Sequence, residues 1–128
     1  MTDTNIGIEQ KLGSAPRITV AQIEDNITSE HYFVASDAIQ HENAVHVHRE
    51  PGWTLGATQF LTLCVLQLRN GFVVTGESAC ASSANFDAEL GRKYAREKAV
   101  EKMWALMGYE LRSRLAAEAA VAAMLAND

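Results

Sequence analysis

Phe60-Leu61-Thr62-Leu63-Cys64-Val65-Leu66-Gln67-Leu68, then Arg69-Asn70-Gly71, then Phe72-Val73-Val74-Thr75, is the stretch that decides the fold. The first run is long enough for a strand. Its apolar side chains fall on both faces, which predicts a central strand with a cover on each side. Asn70-Gly71 supplies the residue pair that a type I′ turn needs, because both central positions of that turn take positive φ. Phe72 to Thr75 then reads as the returning strand of a tight hairpin.

Downstream of the hairpin, Gly76-Glu77-Ser78-Ala79-Cys80-Ala81 is a small-residue connection. Ser82 follows as an expected N-cap, since a serine hydroxyl accepts an early helix N–H. Asp87 and Glu89 would then lie in the opening turns, where carboxylates complement the helix dipole. The spacing predicts a helix to about Met107, closed by Gly108 at C′. Ala88, Gly91, Ala95, Ala99, Met103 and Leu106 repeat at three- and four-residue intervals, a stripe whose small members let a helix backbone approach the hairpin closely. Arg92, Lys93 and Arg96 occupy another face. Beyond Gly108, Glu110 to Leu125 predicts a separate alanine-rich helix suited to docking on a neighbour or a second chain.

Upstream, Ala44-Val45-His46-Val47-His48 alternates with period two and is followed by Pro51-Gly52, which predicts the third strand. Trp53 to Thr58 reads as a loop with one aromatic anchor. Between residues 29 and 39 the pattern is ambiguous, and Tyr32, Phe33, Val34, Ala38 and Ile39 could form a second helix. Thr19-Val20-Ala21-Gln22 fits a capping box, opening a short helix to about Ile27 with Ile23 and Ile27 on one face. Residues 1–17 are polar and read as a flexible arm, leaving 18–128 as a single domain. The fold expected is therefore α+β: one or two short N-terminal helices, a three-stranded antiparallel sheet with a central hairpin, a long amphipathic helix on it, and a C-terminal alanine-rich helix.

The chain has 128 residues, 48% of them hydrophobic and 21% charged, ordinary values for a globular protein. It lacks an apolar run of the roughly 18 residues that a membrane span needs. Its first residues lack the basic and apolar segments of a signal peptide, so a cytoplasmic location is the expectation. The two cysteines, Cys64 and Cys80, are expected to be free thiols rather than a disulfide. The net charge of −5 argues against indiscriminate nucleic-acid binding. Within residues 92–102, however, five basic groups face two acidic ones, so this window is +3 and the remainder is −8.

Four arrangements invite a chemical reading. Gly76-Glu77-Ser78-Ala79-Cys80 lies between strand and helix, where a nucleophile elbow would sit, but Cys80 stands where that pattern requires glycine. All four histidines precede it. His46 and His48 would share one strand face and, with His41, supply part of a metal site, yet structural zinc ordinarily takes four ligands. Asp87 and Glu89, two apart on a helix, point about 200° from each other and cannot act on one substrate atom. Neither metal nor cofactor is expected. The ridge of Arg92, Lys93 and Arg96 remains, with the backbone N–H groups of the helix start near Ser82 and Ser83, as an anion site.

The strings Phe60 to Leu66, Asn70-Gly71-Phe72, Gly76 to Ser82, Asn85-Phe86-Asp87-Ala88-Glu89 and Gly91-Arg92-Lys93 resemble one family of tailed-phage proteins of unknown function. It is the family named for gene product forty-nine of coliphage N-four and gene product sixty-six of a Shigella phage. Trp104, Gly108-Tyr109 and Leu111-Arg112 extend the resemblance over residues 59–115, and Ser29-Glu30-His31-Tyr32-Phe33 is similar as well. The resemblance implies a phage or prophage origin and an accessory role in the cytoplasm of the infected bacterium. It implies no catalytic residues. A second likeness is architectural: helix, three strands and helix, with Arg92-Lys93-Tyr94-Ala95-Arg96 near a helix start, is similar to a double-stranded-RNA-binding domain. Phe86-Asp87-Ala88-Glu89 ahead of the basic residues departs from that pattern and would place carboxylates against phosphates.

The expectation is thus a non-enzymatic phage accessory protein that binds a host protein or a small anionic ligand, such as a defence-signalling nucleotide. Ser78, Ser82, Asn85, Arg92, Lys93 and Arg96 are its expected ligand-binding residues, and the alanine-rich helix is expected to make it a homo-oligomer. A nucleic-acid-binding module is the disfavoured alternative, and no membrane partner is expected.

Overall fold

The computed structural model describes residues 15–127. The arm expected over residues 1–17 therefore lies largely outside the described residues. The chain divides into two compact units. One is the sheet unit, Ile27–Val100. The other gathers the described residues up to Asn26 with those from Glu101 onward.

The sheet unit has three antiparallel strands, β1 (Ile27–Val34), β2 (Leu61–Leu68) and β3 (Val73–Ala79), in the order β1-β2-β3. The α+β class, the three-stranded sheet and the central hairpin are as the sequence predicts, but the third strand is a different segment. Ile27–Val34 takes that place, in a region whose ambiguous pattern offers a second helix. Ala44 to His48 forms no strand, and Val45 and Val47 are 90% and 83% exposed. β2 is paired by β1 on one side and β3 on the other, and residues 44–48 pair with none of the three strands. The remainder of the ambiguous region is a short helix, α2 (Ala35–Ile39). The helix preceding it in the chain, α1, is described with the second unit.

The hairpin turn also differs in type. Gly71 has φ 89°, and no described non-glycine residue has positive φ, so Asn70 does not adopt the type I′ conformation. Gly71 N–H donates to Leu68 O at 3.0 Å and Leu68 N–H to Phe72 O at 2.8 Å. This is a three-residue loop in which Gly71 makes the left-handed bulge. Asn70 Oδ1 accepts the Phe72 N–H at 2.9 Å and holds the turn from the side.

A 39-residue helix, α3 (Ala88–Ala126), begins in the sheet unit and continues through the second unit. Its cap is Asp87, whose Oδ1 accepts the Leu90 N–H at 3.0 Å. Ser82 instead precedes a 3₁₀ turn, Ser83–Asn85, and makes no side-chain cap bond. The helix does not close at Gly108. A glycine inside a helix costs only about 1 kcal/mol, and the alanine-rich sequence after it restores helix propensity, so the two expected helices are one.

Helix and sheet meet through the predicted stripe. Gly91, Ala95 and Ala99 are buried, as are Thr62, Cys64, Leu66, Leu68, Val74 and Gly76 on the sheet face they cover. Gly76 shows why the stripe is small. A Cβ there would lie 2.1 Å from the Ala95 carbonyl oxygen and 2.4 Å from the Ala99 nitrogen, so strand backbone rests directly on helix backbone. Among the described residues the opposite sheet face has no such cover: Leu61, Leu63 and Val65 are half-buried and Val73 is exposed. Of the cover expected on each face, the described residues supply one.

In the second unit, α1 (Val20–Asp25) opens with the predicted capping box: Gln22 N–H donates to Thr19 Oγ1 and Thr19 N–H to Gln22 Oε1. It ends at Asp25, two residues before Ile27, which belongs to β1. Ile23 and Met103 are the buried centre of this unit. Asn26 Nδ2 donates to Met107 Sδ at 3.5 Å. Among the described residues no helix is long and apolar enough to cross a membrane.

Candidate functional site

The first turns of α3 cross β1 and β2 where Thr62 is flanked in register by Val34 and Ser78. Gly91 sits directly over Thr62: a Cβ there would lie 2.6 Å from Thr62 Oγ1. Beside this contact is a cavity of about 210 Å³ lined by Tyr32, Val34, Asp37, Thr62, Ala88 and Arg92, with Phe33 completing its wall. Each lining residue belongs to the sheet unit. Strand β1 supplies the apolar wall, α2 supplies Asp37, β2 supplies Thr62 and the opening of α3 supplies Arg92.

The polar groups around this cavity fall into two sets. Between β1 and α3, Glu30, Tyr32 and Arg96 are tied together. Arg96 Nε donates to Glu30 Oε1 at 3.0 Å and its Nη2 to Oε2 at 3.3 Å, a two-point guanidinium–carboxylate contact. Tyr32 Oη donates to the same Oε1 at 2.7 Å. The Arg96 hydrogen bonds hold the Glu30 carboxyl below its usual range. Partial burial, and then donation to Glu30, push the Tyr32 hydroxyl well above its ordinary value. Burial likewise raises the Cys64 thiol.

At the rim, by contrast, the side chains of Arg92 and Asp37 are exposed, and neither makes a hydrogen bond or ion pair among the described residues. The Thr62 hydroxyl is buried and also lacks a hydrogen-bond partner among them. The arrangement can therefore receive an anionic group on Arg92, and it has unused donor and acceptor capacity beside it.

The six residues expected to bind ligand do not come together. Arg92 lines the cavity. Lys93 lies over the Tyr94 ring at 5.8 Å from its centroid, and Arg96 is bound to Glu30. Ser78 lies within β3 on the helix-facing side, paired with Thr62, rather than at the tip of an elbow. Ser82 and Asn85 bracket the 3₁₀ turn, and the Cys80 thiol points at Asn85 O at 3.7 Å. Sequence reasoning missed Tyr32, Asp37 and Thr62. Thr62 carried a signal, a hydroxyl on the inward face of an otherwise apolar strand, whereas Asp37 carried none before α2 was placed.

The histidines of the exposed loop are arranged around Trp53. His48 stacks on the indole at 4.6 Å and 11° between planes, and the His46 ring centroid is 5.6 Å away. Among the described residues no group of three or more histidine, cysteine or acidic side chains is placed to hold a metal ion.

Comparison with known proteins gives a family match. The family described as "Phage protein (N4 Gp49/phage Sf6 gene 66) family" matches residues 18–115. The match reaches back through α1, β1 and α2, well beyond the residues on which the sequence resemblance rested. No curated protein and no solved structure matches the chain.

Proposed function

The chain belongs to the phage protein (N4 Gp49/phage Sf6 gene 66) family, and from that membership we propose that it is a non-enzymatic phage accessory protein that binds a small anionic ligand. The observation that carries this reading is the unpaired Arg92 guanidinium at the rim of a cavity. A guanidinium presents paired donors to carboxylate or phosphate oxygens. Here its neighbour on the ridge, Arg96, is already satisfied by Glu30, so the anion site is centred on Arg92 rather than spread along the ridge.

The ligand class includes a defence-signalling nucleotide. A cavity of about 210 Å³ lies below the usual range for enclosing a drug-sized molecule. It would take one charged group of a nucleotide and leave the rest across the surface formed by Tyr32, Phe33 and the start of α3. The same proposal places the protein in the cytoplasm of the infected bacterium. It includes self-association through the later part of α3, whose Val121, Met124 and Leu125 are exposed. A host protein docking on that exposed stretch is the other partner compatible with it.

Isothermal titration of the full chain against mono-, di- and cyclic nucleotides and inorganic phosphate tests the ligand reading. Binding of at least one probe, weakened tenfold or more by Arg92→Ala while the fold is retained, is the expected result. Heats of dilution for every probe would overturn it. The disfavoured alternative, duplex RNA binding, is motivated by a three-stranded antiparallel sheet with a helix before and after it, although α2 interrupts the order between β1 and β2. A mobility shift on duplex RNA at low salt, abolished by Lys93→Ala, would favour it instead.

A further inference from the structure

The cavity at the start of α3 has two poles. Arg92, on α3, and Asp37, on α2, both line it, and both side chains lack a hydrogen bond or ion pair among the described residues. Two opposite charges lining a single small cavity ordinarily close on each other, because their attraction grows as they approach and water is displaced. Here they are carried by different elements, and they stand more than the 4.0 Å of an ion pair apart. The same cavity is lined by apolar wall and a buried hydroxyl: Val34, the Tyr32 ring, and Thr62, whose Oγ1 has no hydrogen-bond partner among the described residues. The Tyr32 hydroxyl itself is committed to Glu30 and does not add a third pole.

From this juxtaposition we infer that the site takes a small bifunctional ligand, with an anionic group on Arg92 and a protonated amine on Asp37. This rests on the reading of Arg92 as an anion site and adds the opposite pole to it. The volume of about 210 Å³ exceeds the roughly 150 Å³ that accommodates a benzene ring. A molecule of about that size or slightly larger fits, with a short apolar spacer lying against Val34 and the Tyr32 ring. A ligand carrying only a negative charge would leave Asp37 unpaired and repelled. One carrying only a positive charge would do the same to Arg92. A bifunctional ligand is favoured because it satisfies both.

A series of unbranched ω-amino carboxylic acids, from glycine to 6-aminohexanoate, measures the separation of the poles. The isotopically labelled full chain is titrated with each member and followed by amide chemical shifts. Butyrate and butylamine serve as probes with one head removed, and inorganic phosphate as a plain anion. The expected result is binding that peaks at one chain length, exceeds that of either single-headed probe by at least tenfold, and falls at least tenfold in both Asp37→Asn and Arg92→Gln. Both variants are at exposed positions, and unchanged amide dispersion confirms the fold. If butyrate or phosphate binds as well as the best amino acid and Asp37→Asn has no effect, the two-pole inference is overturned while the anion site stands. If neither the series nor the anions shift any amide of the cavity, the two-pole inference fails, and the nucleotide titration alone decides the anion site.

Discussion

Thr62 holds a hydroxyl that no group among the described residues uses, pressed against a helical residue that has no side chain to collide with it. Leaving a buried hydroxyl unsatisfied costs about 1–3 kcal/mol, so Thr62→Val is expected to be neutral or to stabilise the protein by about 1 kcal/mol. Gly91→Ala should cost about 2 kcal/mol or more, as overpacking does, and the loss should shrink when Thr62→Ala is added. Chemical denaturation of the single and double variants checks both, and equal losses with and without Thr62→Ala would break the proposed contact. The neighbouring Glu30–Tyr32–Arg96 cluster sets the pH dependence. Glu30 is held below its ordinary 4.5, so its contribution is complete above that value and disappears as pH falls through the depressed one. Tyr32 is raised above 10.0, so its contribution is complete below that value and disappears as pH climbs towards the raised one. Stability measured against pH should therefore decline on both limbs. Glu30→Gln should flatten the acid limb and Tyr32→Phe the alkaline one.

At the scale of elements, two substitutions separate what the sequence suggests from what the fold adopts. Asp87 caps α3, so Asp87→Ala is expected to lower stability by about 1 kcal/mol, while Ser82→Ala should have almost no effect. Gly108 lies inside the helix, with open space where a methyl group would project. Gly108→Ala should therefore stabilise by about 0.5–1 kcal/mol, where a glycine closing a helix at C′ would give a loss. Thermal melts decide both. The hairpin, the capping box at Thr19 and the Gly91–Ala95–Ala99 stripe were legible because each depends on a local pattern with a physical cause: turn chemistry, reciprocal capping, and close backbone approach. The identity of the third strand was not. His46 and His48 sit in a clear alternating run, whereas Ile27–Val34 reads ambiguously, and only its long-range pairing with β2 makes it the third strand. The extent of α3 was hidden for a related reason, since a glycine is a stop only if the chain beyond it has something better to do. For the site, the basic residues were visible but their allegiance was not: Arg96 turns to Glu30, sixty-six positions away, while Arg92 lines the cavity.

For the molecule as a whole, the later part of α3 presents Tyr109, Val121, Met124 and Leu125, each more than half exposed. Apolar side chains in such number along one helix are normally covered by a partner. Light scattering across a range of concentrations should therefore show association that Val121→Glu with Leu125→Glu abolishes without unfolding the sheet unit, and a strictly monomeric protein would contradict self-association. The central claim concerns the cavity between α2, β1, β2 and the start of α3, which joins an unpaired arginine to a phage family of unknown activity. Its most direct test is mass spectrometry of the small molecules released on denaturing protein purified from phage-infected bacteria, with the Arg92→Ala variant prepared in parallel. A small molecule bearing an anionic group, present with the wild-type chain and absent from the variant, is the expected result. Identical small-molecule content in the two preparations would contradict it.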